Sequence, residues 1–103
     1  MSRQTSTILT NLCLIEDCST NKVVLQYRSP ERYKKWSGYA FPGGHIEEGE
    51  CLVESVIREV YEETGLTIAD PKLVAVKDWP LDDGGRYIVF CYKATEFTGQ
   101  LRS

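Results

Sequence analysis

Long apolar runs are missing from the sequence. None of its 103 residues belong to an apolar stretch close to the roughly 18–20 residues that a membrane-spanning helix needs. The N-terminal segment has a short apolar stretch that is interrupted by Asn11, and it lacks a cleavage-type end, so we interpret it as a strand and not as a signal peptide. We therefore expect a cytoplasmic protein without a membrane partner.

An excess of positive charge is missing as well. Lys and Arg number 12 against 15 Asp and Glu, which gives a formal net charge of −3 at pH 7. A general nucleic-acid binder usually carries a basic face, and we therefore expect no nucleic-acid partner. A small molecule that carries phosphate groups is still a suitable ligand if positive charge is local or is supplied by a metal ion.

The sequence also lacks a CxxC pair of the kind that binds metal ions. Without a secretory signal, its cysteines are expected to be reduced thiols rather than disulfides. Two of them, Cys51 and Cys91, are predicted to be small core residues. A redox or metal–thiolate function is therefore the weakest of the alternatives. The full set is Cys13, Cys18, Cys51 and Cys91.

What remains is the composition of an ordinary small globular domain. Hydrophobic residues make up 42% of the chain and charged residues 26%, without an internal repeat or a low-complexity tract. We predict a single domain over residues 1–103, with only modest stability to spare because a chain of this length buries a small core.

The order of the elements predicts an α/β fold of the α+β kind, with a mixed β-sheet. Residues 7–15 and 22–27 are predicted to form a hairpin, and residues 37–41 a short extended segment that ends at Pro42-Gly43-Gly44. Residues 28–36 between them form a basic, aromatic loop. Two further strands are predicted around a turn at Asp82-Asp83-Gly84-Gly85, over residues 72–79 and 86–94.

Residues 50–64 carry the clearest helix pattern, and Gly65 supplies a left-handed residue to end it. This helix would cover one face of a sheet of four or five strands, whereas layered folds normally cover both. Either a second copy covers the other face, which gives a homodimer, or the chain is a fragment. The apolar stripe of the helix consists of Leu52, Val53, Val56, Ile57, Val60 and Tyr61.

Three carboxylates, Glu59, Glu62 and Glu63, follow one another closely near the end of this helix. Like charges at such spacing repel by a few tenths of a kcal/mol per pair. At about 100° per residue, Glu59 and Glu63 stack one turn apart, with Glu62 on the same flank toward solvent. Grouped carboxylates suit Mg²⁺ or Mn²⁺, although a solvated acidic face is the usual explanation for such a cluster.

The glycines before the helix add a second feature. Gly43 and Gly44 allow the backbone to approach a ligand closely, and a carbonyl of this turn could complete the coordination of a metal ion. A Gly-Gly pair by itself indicates only a turn.

Together these residues resemble the box of the Nudix hydrolases over residues 44–66. The spacing matches without departure, and a chance match is on the order of 10⁻⁹ per position at background residue usage. The strand before the loop and the segment that leads into the box are also similar to the family. The resemblance further implies a C-terminal strand and a second helix, which we expect to be missing from this chain. The matching positions are Gly44, Glu50, Arg58, Glu59, Val60, Glu62, Glu63, Gly65 and Leu66.

The resemblance implies a metal site and a supporting pair. Glu59 and Glu63 would bind an essential Mg²⁺, or Mn²⁺ in its place, with Glu62 bound directly or through water and the Gly43 carbonyl as a further ligand. Members of the family hydrolyse a nucleoside diphosphate linked to another group, so the expected partner is a small-molecule nucleotide.

The same resemblance assigns supporting roles. Glu50 and Arg58 would fix the loop–helix–loop, with Arg58 orienting the neighbouring Glu59. Arg28, at the end of its strand, resembles a phosphate-contacting arginine, although a surface arginine without a function is an equal alternative. His45 is interpreted as a loop residue and not as a catalyst.

Within the family, the chain looks most like the 8-oxo-dGTP diphosphatases, which release a nucleoside monophosphate and pyrophosphate. Tyr39, Phe41 and Trp36 could contribute to a wall that stacks on the base, although aromatic residues at strand positions are more often core. Gly43 and Gly44 complete the predicted substrate contacts. Pro80 is faintly similar to the ADP-ribose branch, and that substrate, a dinucleoside polyphosphate, or a self-associating fragment that binds metal without turnover are the alternatives.

Overall fold

The computed structural model describes residues 3–32 and 37–102 of the chain. This part contains a helix of 13 residues and a set of strands that are short except for three. In chain order they are β1 Thr7–Asp17, β2 Lys22–Val23, β3 Gln26–Arg28, β4 Gly38–Ala40, β5 Gly43–His45, α1 Leu52–Thr64, β6 Leu66–Ala69, β7 Lys72–Pro80, β8 Arg86–Ala94 and β9 Glu96–Gly99.

The main sheet is mixed, as predicted. Its strands lie in the order β2-β1-β8-β7, and β5 pairs with β1 as a fifth strand. The long central pairing of β1 with β8 is parallel, whereas β7 with β8 and β5 with β1 are antiparallel. Strands β7 and β8 flank the predicted turn, where the Leu81 amide donates to the Gly85 carbonyl at 2.8 Å.

The prediction of one continuous strand over residues 22–27 was wrong. Strand β2 pairs with the end of β1, but β3 leaves the main sheet and pairs with β4, with Gln26 opposite Ala40. The reason is that β5 occupies the same edge of β1 further back, where the Cys13 amide donates to the Pro42 carbonyl at 2.9 Å. The edge of β1 therefore cannot accept a longer second strand.

The segment Gly43–His45 forms a strand and is not simply a turn, which corrects the sequence interpretation. It lies very close to β1, because a Cβ atom on Gly43 would stand 2.6 Å from the Leu12 Cα. Only glycine fits at that position without moving backbone atoms. The glycine pair thus serves strand packing as well as the site.

Strands β6 and β9 were not predicted. They form a separate antiparallel pair after the helix, with the buried Ile68 opposite the partly buried Phe97. Strand β9 lies in the C-terminal segment in which the sequence showed no element. The short length of both strands explains why the alternation of apolar and polar residues was too brief to detect.

The core forms between α1 and one face of the main sheet. The predicted helix is confirmed, ending at Gly65 with φ of +85°. The predicted apolar stripe was partly wrong, because Leu52, Val53 and Tyr61 are exposed. The core residues are Cys13, Ile15, Val56, Val60, Leu66, Ile68, Tyr92 and Ala94.

The four cysteines are free thiols, and two of them are buried. Cys91 lies in the interior as predicted, but Cys51 is exposed at the N-cap position of α1, which corrects its assignment to the core. Burial raises the pKa of the Cys13 thiol to about 11. Within the described residues, no helix has the length and apolar character needed to cross a membrane.

Candidate active site

Arg58 stands at the centre of the candidate site and binds three carboxylates. Its Nε and Nη2 atoms donate to the two oxygens of Glu50, the second at 3.0 Å. Its Nη1 atom donates to Glu59 at 2.9 Å and to Glu62 at 3.1 Å. Nη2 also reaches the His45 carbonyl at 3.2 Å, which ties the helix to the end of β5. The structure therefore places Glu50, Arg58 and Glu59 together.

Glu50 lies before the first residue of α1, in the loop that joins β5 to the helix. Besides Arg58, it accepts a hydrogen bond from the Glu47 amide at 3.0 Å, so the carboxylate fixes the loop as well as the guanidinium. The hydrogen bonds from Arg58, followed by that from the Glu47 amide, lower the pKa of Glu50 to about 2. Glu50 is therefore ionised at neutral pH and acts as a structural anion.

The two glycines of β5 meet the carboxylates of α1. The Gly43 amide donates to Glu63 Oε1 at 2.7 Å. The Glu59 carboxylate packs against Gly44 so closely that a Cβ atom there would clash with it. The absence of side chains on β5 thus allows two carboxylates of the helix to approach the strand.

The pairing of β5 also determines where the Gly43 carbonyl points. Hydrogen bonds join Cys13 to Pro42 and Ile46 to Leu9, so these are hydrogen-bonded pairs of the ladder between β1 and β5. Gly43 follows Pro42 directly, so its pair with Leu12 is a non-hydrogen-bonded pair. Because hydrogen-bonded and non-hydrogen-bonded pairs alternate in an antiparallel ladder, the amide and carbonyl of Gly43 both face away from β1. The carbonyl is therefore on the same edge as the amide that binds Glu63.

Two buried polar residues hold this arrangement and were missed by the sequence analysis. The Asn11 side chain donates to Ser55 Oγ at 3.0 Å and accepts from the Gly44 amide at 3.1 Å. Both residues are buried, with Asn11 on β1 and Ser55 on α1. Asn11, which interrupts the apolar stretch of β1, was the available signal, because buried polar side chains need partners.

The carboxylates differ in exposure and in ionisation. The side chain of Glu59 is 15% exposed and that of Glu62 is 56% exposed, so Glu62 lies toward solvent as predicted. Burial raises the pKa of Glu63, and the negative charge of Glu59 adds to this effect against the opposing hydrogen bond from Gly43. A cation beside Glu63 would offset both effects on its ionised form, and carboxylate oxygens are donors that a divalent ion such as Mg²⁺ prefers.

Among the described residues, the predicted metal ligands do not form a complete coordination site. Within residues 3–32 and 37–102, no three Asp, Glu, His or Cys side chains form a group that could hold a metal ion. Arg58 holds one oxygen of Glu59 and one of Glu62, while the Gly43 amide holds one of Glu63. The assignment of Glu59, Glu62, Glu63 and Gly43 as ligands therefore stays a prediction.

A single open cleft of about 1500 Å³ contains both the carboxylates and the predicted substrate contacts. Arg28 lies in it and is near enough to Glu63 for its charge to oppose the rise in the pKa of that carboxylate. Tyr39 is 75% exposed and makes an edge-to-face contact with Tyr27, with ring centroids 5.3 Å apart. The predicted residues in the cleft are Arg28, Tyr39, Phe41, Gly43, Gly44, Glu59, Glu62 and Glu63, and His45, interpreted as a loop residue, also lines it.

The aromatic part of the site was predicted incompletely. Trp36 lies outside the residues that the structure describes, so its predicted contribution stays a prediction. The structure instead adds Trp79 and Tyr87, which line the cleft and stack on each other. They come from β7 and β8, and only the pairing of these strands brings them to the same cleft as the helix.

Comparison with known proteins agrees with the resemblance seen in the sequence. A family model described as NUDIX domain matches residues 9–103. The chain is 36% identical over 98 residues to YvcI, an uncharacterized Nudix hydrolase of Bacillus subtilis (strain 168), covering 89% of this chain and 60% of that protein. It is 34% identical over 84 residues to an ADP-ribose pyrophosphatase of Methanocaldococcus jannaschii, covering 81% of this chain and 48% of that protein.

Two further likenesses bear on the substrate. A match of 35 residues, 51% identical, relates the chain to YtkD of Bacillus subtilis (strain 168), which is provisionally named an 8-oxo-dGTP diphosphatase, and covers 34% of this chain and 22% of that protein. A crystal structure of a MutT protein from Bacillus halodurans is similar with a TM-score of 0.75 and 30% identity, covering 92% of this chain and 60% of that one. The chain spans at most 60% of the length of these curated relatives.

Proposed function

The chain belongs to the Nudix family, and on that basis we propose that it hydrolyses the diphosphate linkage of a nucleoside triphosphate in a reaction that depends on a divalent cation. The observation that carries the proposal is the meeting of α1 and β5. There, the carboxylates of Glu59 and Glu63 lie against Gly44 and Gly43, in one cleft with Arg28.

Glu59, Glu63 and the Gly43 carbonyl, with Glu62 nearer to solvent, would hold Mg²⁺ or Mn²⁺. The chemistry that such an ion supplies when bound is neutralisation of the diphosphate and polarisation of the phosphorus. The donor set supports this assignment, because carboxylates and a backbone carbonyl are the hard oxygen ligands that these ions prefer.

Other side chains of the protein position the carboxylates and bind the substrate. Arg58 orients Glu59 and Glu62 through Nη1, and Glu50 holds Arg58 through two hydrogen bonds. Asn11 holds the Gly44 amide and thereby keeps β5 against the helix. Arg28 binds a phosphate oxygen of the substrate, because its guanidinium lies in the same cleft as the carboxylates and its positive charge acts on Glu63.

We assign the substrate to the oxidised purine triphosphates, such as 8-oxo-dGTP, with a nucleoside monophosphate and pyrophosphate as products. The likeness to YtkD supports this choice. Tyr39 and Phe41 line the cleft, where they can contact the sugar or the base.

The test is pyrophosphate release from 8-oxo-dGTP and dGTP, with and without Mg²⁺. In Glu59→Gln, we expect the rate to fall by about 10²–10⁴-fold, since the neutral amide loses the charge that holds the cation. The thermal unfolding midpoint should change little by comparison. Glu54→Gln is the matched control, because Glu54 is an exposed carboxylate in the first turn of the same helix. Wild-type turnover in Glu59→Gln would refute the metal assignment.

ADP-ribose is a second candidate substrate. It is favoured by the relative from Methanocaldococcus jannaschii, whose match covers more of this chain than the match to YtkD. The same panel should therefore include ADP-ribose, with release of AMP as the readout. A higher kcat/KM for ADP-ribose than for 8-oxo-dGTP would replace the first assignment and leave the catalytic residues unchanged.

A further inference from the structure

We propose that Trp79, supported by Tyr87, is the surface on which the base of the substrate stacks, and that it determines selectivity for substrates that carry a planar base. This inference rests on the proposed function for the class of ligand, a nucleotide. It assigns a role to two residues of β7 and β8 that neither the box nor the catalytic carboxylates involve.

The geometry of the pair is that of a stacking surface. Trp79 and Tyr87 are directly opposite each other on β7 and β8. Their rings are nearly parallel, with an interplanar angle of 14° and centroids 4.8 Å apart. Trp79 remains 44% exposed although one face is covered by Tyr87. A large aromatic ring with an exposed remainder in a cleft is suited to stack on another ring.

The charged side chains of the predicted site lie at one end of the cleft, and an aromatic pair lies at the other. Glu59, Glu63 and Arg28 define the first end, whereas Trp79 and Tyr87 are joined by Leu81 and Val89 at the second. Thr10 lies between the two ends, and its uncharged hydroxyl donates to the Ile88 carbonyl at 3.0 Å. A nucleotide has the same division, with charged phosphates joined to an aromatic base.

The distance between the two ends suits such a ligand. His45 on β5 is opposite Thr10 on β1, which is opposite Val89 on β8, and Trp79 lies on the next strand, β7. Three steps of about 4.8 Å and a shift of two residues along the strand give a Cα–Cα separation on the order of 15 Å. Side chains reach inward from both ends, so an extended nucleotide can contact both at once.

The surface is also held in place before a ligand binds. In the turn after Trp79, the Gly84 amide donates to the Leu81 carbonyl at 3.0 Å, and the Gly85 amide donates to the Asp83 carboxylate at 2.8 Å. The Arg86 amide donates to the Ser6 carbonyl at 2.9 Å and fastens the turn to the start of β1. A ring fixed in this way loses little conformational freedom on binding.

The experiment compares the binding of two probes in the presence of Mg²⁺, the α,β-methylene analogue of GTP and inorganic tripolyphosphate. In Trp79→Ala, we expect the Kd for the GTP analogue to rise about 5- to 150-fold, which is the range for loss of one base–aromatic stack. The Kd for tripolyphosphate should not change, since it has no base. Trp79→Phe keeps an aromatic ring and should restore most of the affinity for the analogue.

Val76→Ala is the matched control. Val76 lies on the same strand and is also exposed, but it is opposite Phe90, whose side chain packs toward the core, so it faces away from Trp79. We expect it to bind both probes like the wild type. Circular dichroism and light scattering on each variant check that the fold and the oligomeric state are unchanged.

Each outcome decides between the two proposals. Equal Kd values of wild type and Trp79→Ala for the analogue would overturn the stacking surface and leave the hydrolase proposal intact. An equal loss for both probes would also overturn it, as would a changed oligomeric state, which would make Trp79 an interface residue. If the wild type binds the analogue through Trp79 but hydrolyses no nucleotide, the hydrolase proposal fails alone. If it binds neither probe, both fail.

Discussion

Arg58 distributes its hydrogen bonds between a fixed anion and two carboxylates that face the cleft. Glu50 accepts hydrogen bonds from Nε and Nη2, while Nη1 donates to both Glu59 and Glu62. The guanidinium plane is rigid, so the position of Glu50 determines the position of the other two carboxylates. Substitution of Glu50 should therefore change the positions of Glu59 and Glu62 indirectly, through Arg58.

Glu50 leads to a prediction for the pH dependence of stability. Its pKa is lowered from 4.5 to about 2 in the folded protein. A lowered folded-state pKa contributes stability above the unfolded value, and this contribution is lost as the pH falls through the folded value. We expect the difference in unfolding midpoint between wild type and Glu50→Gln to shrink as the pH falls from about 4.5 toward about 2.

The measurement is thermal unfolding of both proteins across that range by circular dichroism. Glu54→Gln controls for the general loss of one negative charge from this region, because its side chain is exposed on α1. A difference that stays constant from neutral pH to the acid limit would show that the Glu50–Arg58 pair is not responsible.

At the scale of elements, local signals were sufficient for α1 and insufficient for the strands around it. The helix follows from its apolar spacing and from Gly65, both of which act within one segment. The separation of β2 from β3 depends instead on β5 occupying the edge of β1, which is a contact between distant segments. The same holds for Asn11 with Ser55, since no local pattern places β1 beside α1.

The two faces of α1 give a second prediction. Val60 is fully buried in the core, whereas Val53 on the same helix is 46% exposed. Val60→Ala should lower the free energy of unfolding by about 1–3 kcal/mol, because it removes buried methyl groups and leaves a cavity. Val53→Ala should change it by about 0.5 kcal/mol or less.

Urea denaturation at equilibrium compares the two variants with the wild type. The two substitutions are chemically identical and lie on one helix, so helix propensity contributes the same amount to each. Equal destabilisation would contradict the placement of the core along Val56 and Val60 and would restore the wider stripe expected from the sequence.

At the scale of the whole molecule, the sheet is covered unevenly. Helix α1 packs against β1, β5 and β6, whereas β7 forms the edge of the main sheet and is exposed along most of its length. Two neighbouring apolar side chains on it, Leu73 and Val74, are each more than half exposed. An exposed edge strand with apolar side chains is a surface on which another strand can pair.

We therefore predict that two copies of the chain associate through β7 and form a homodimer. Light scattering after size exclusion should give a dimer mass at high protein concentration, and Leu73→Lys or Val74→Lys should shift it to the monomer, because each buried charge would oppose the contact. Leu101→Lys is the control, since Leu101 is 60% exposed but lies beyond β9, away from β7. Nucleotide hydrolysis should be retained in these lysine variants, because none of the three residues lines the cleft. A monomer at every concentration would exclude β7 as a self-association surface.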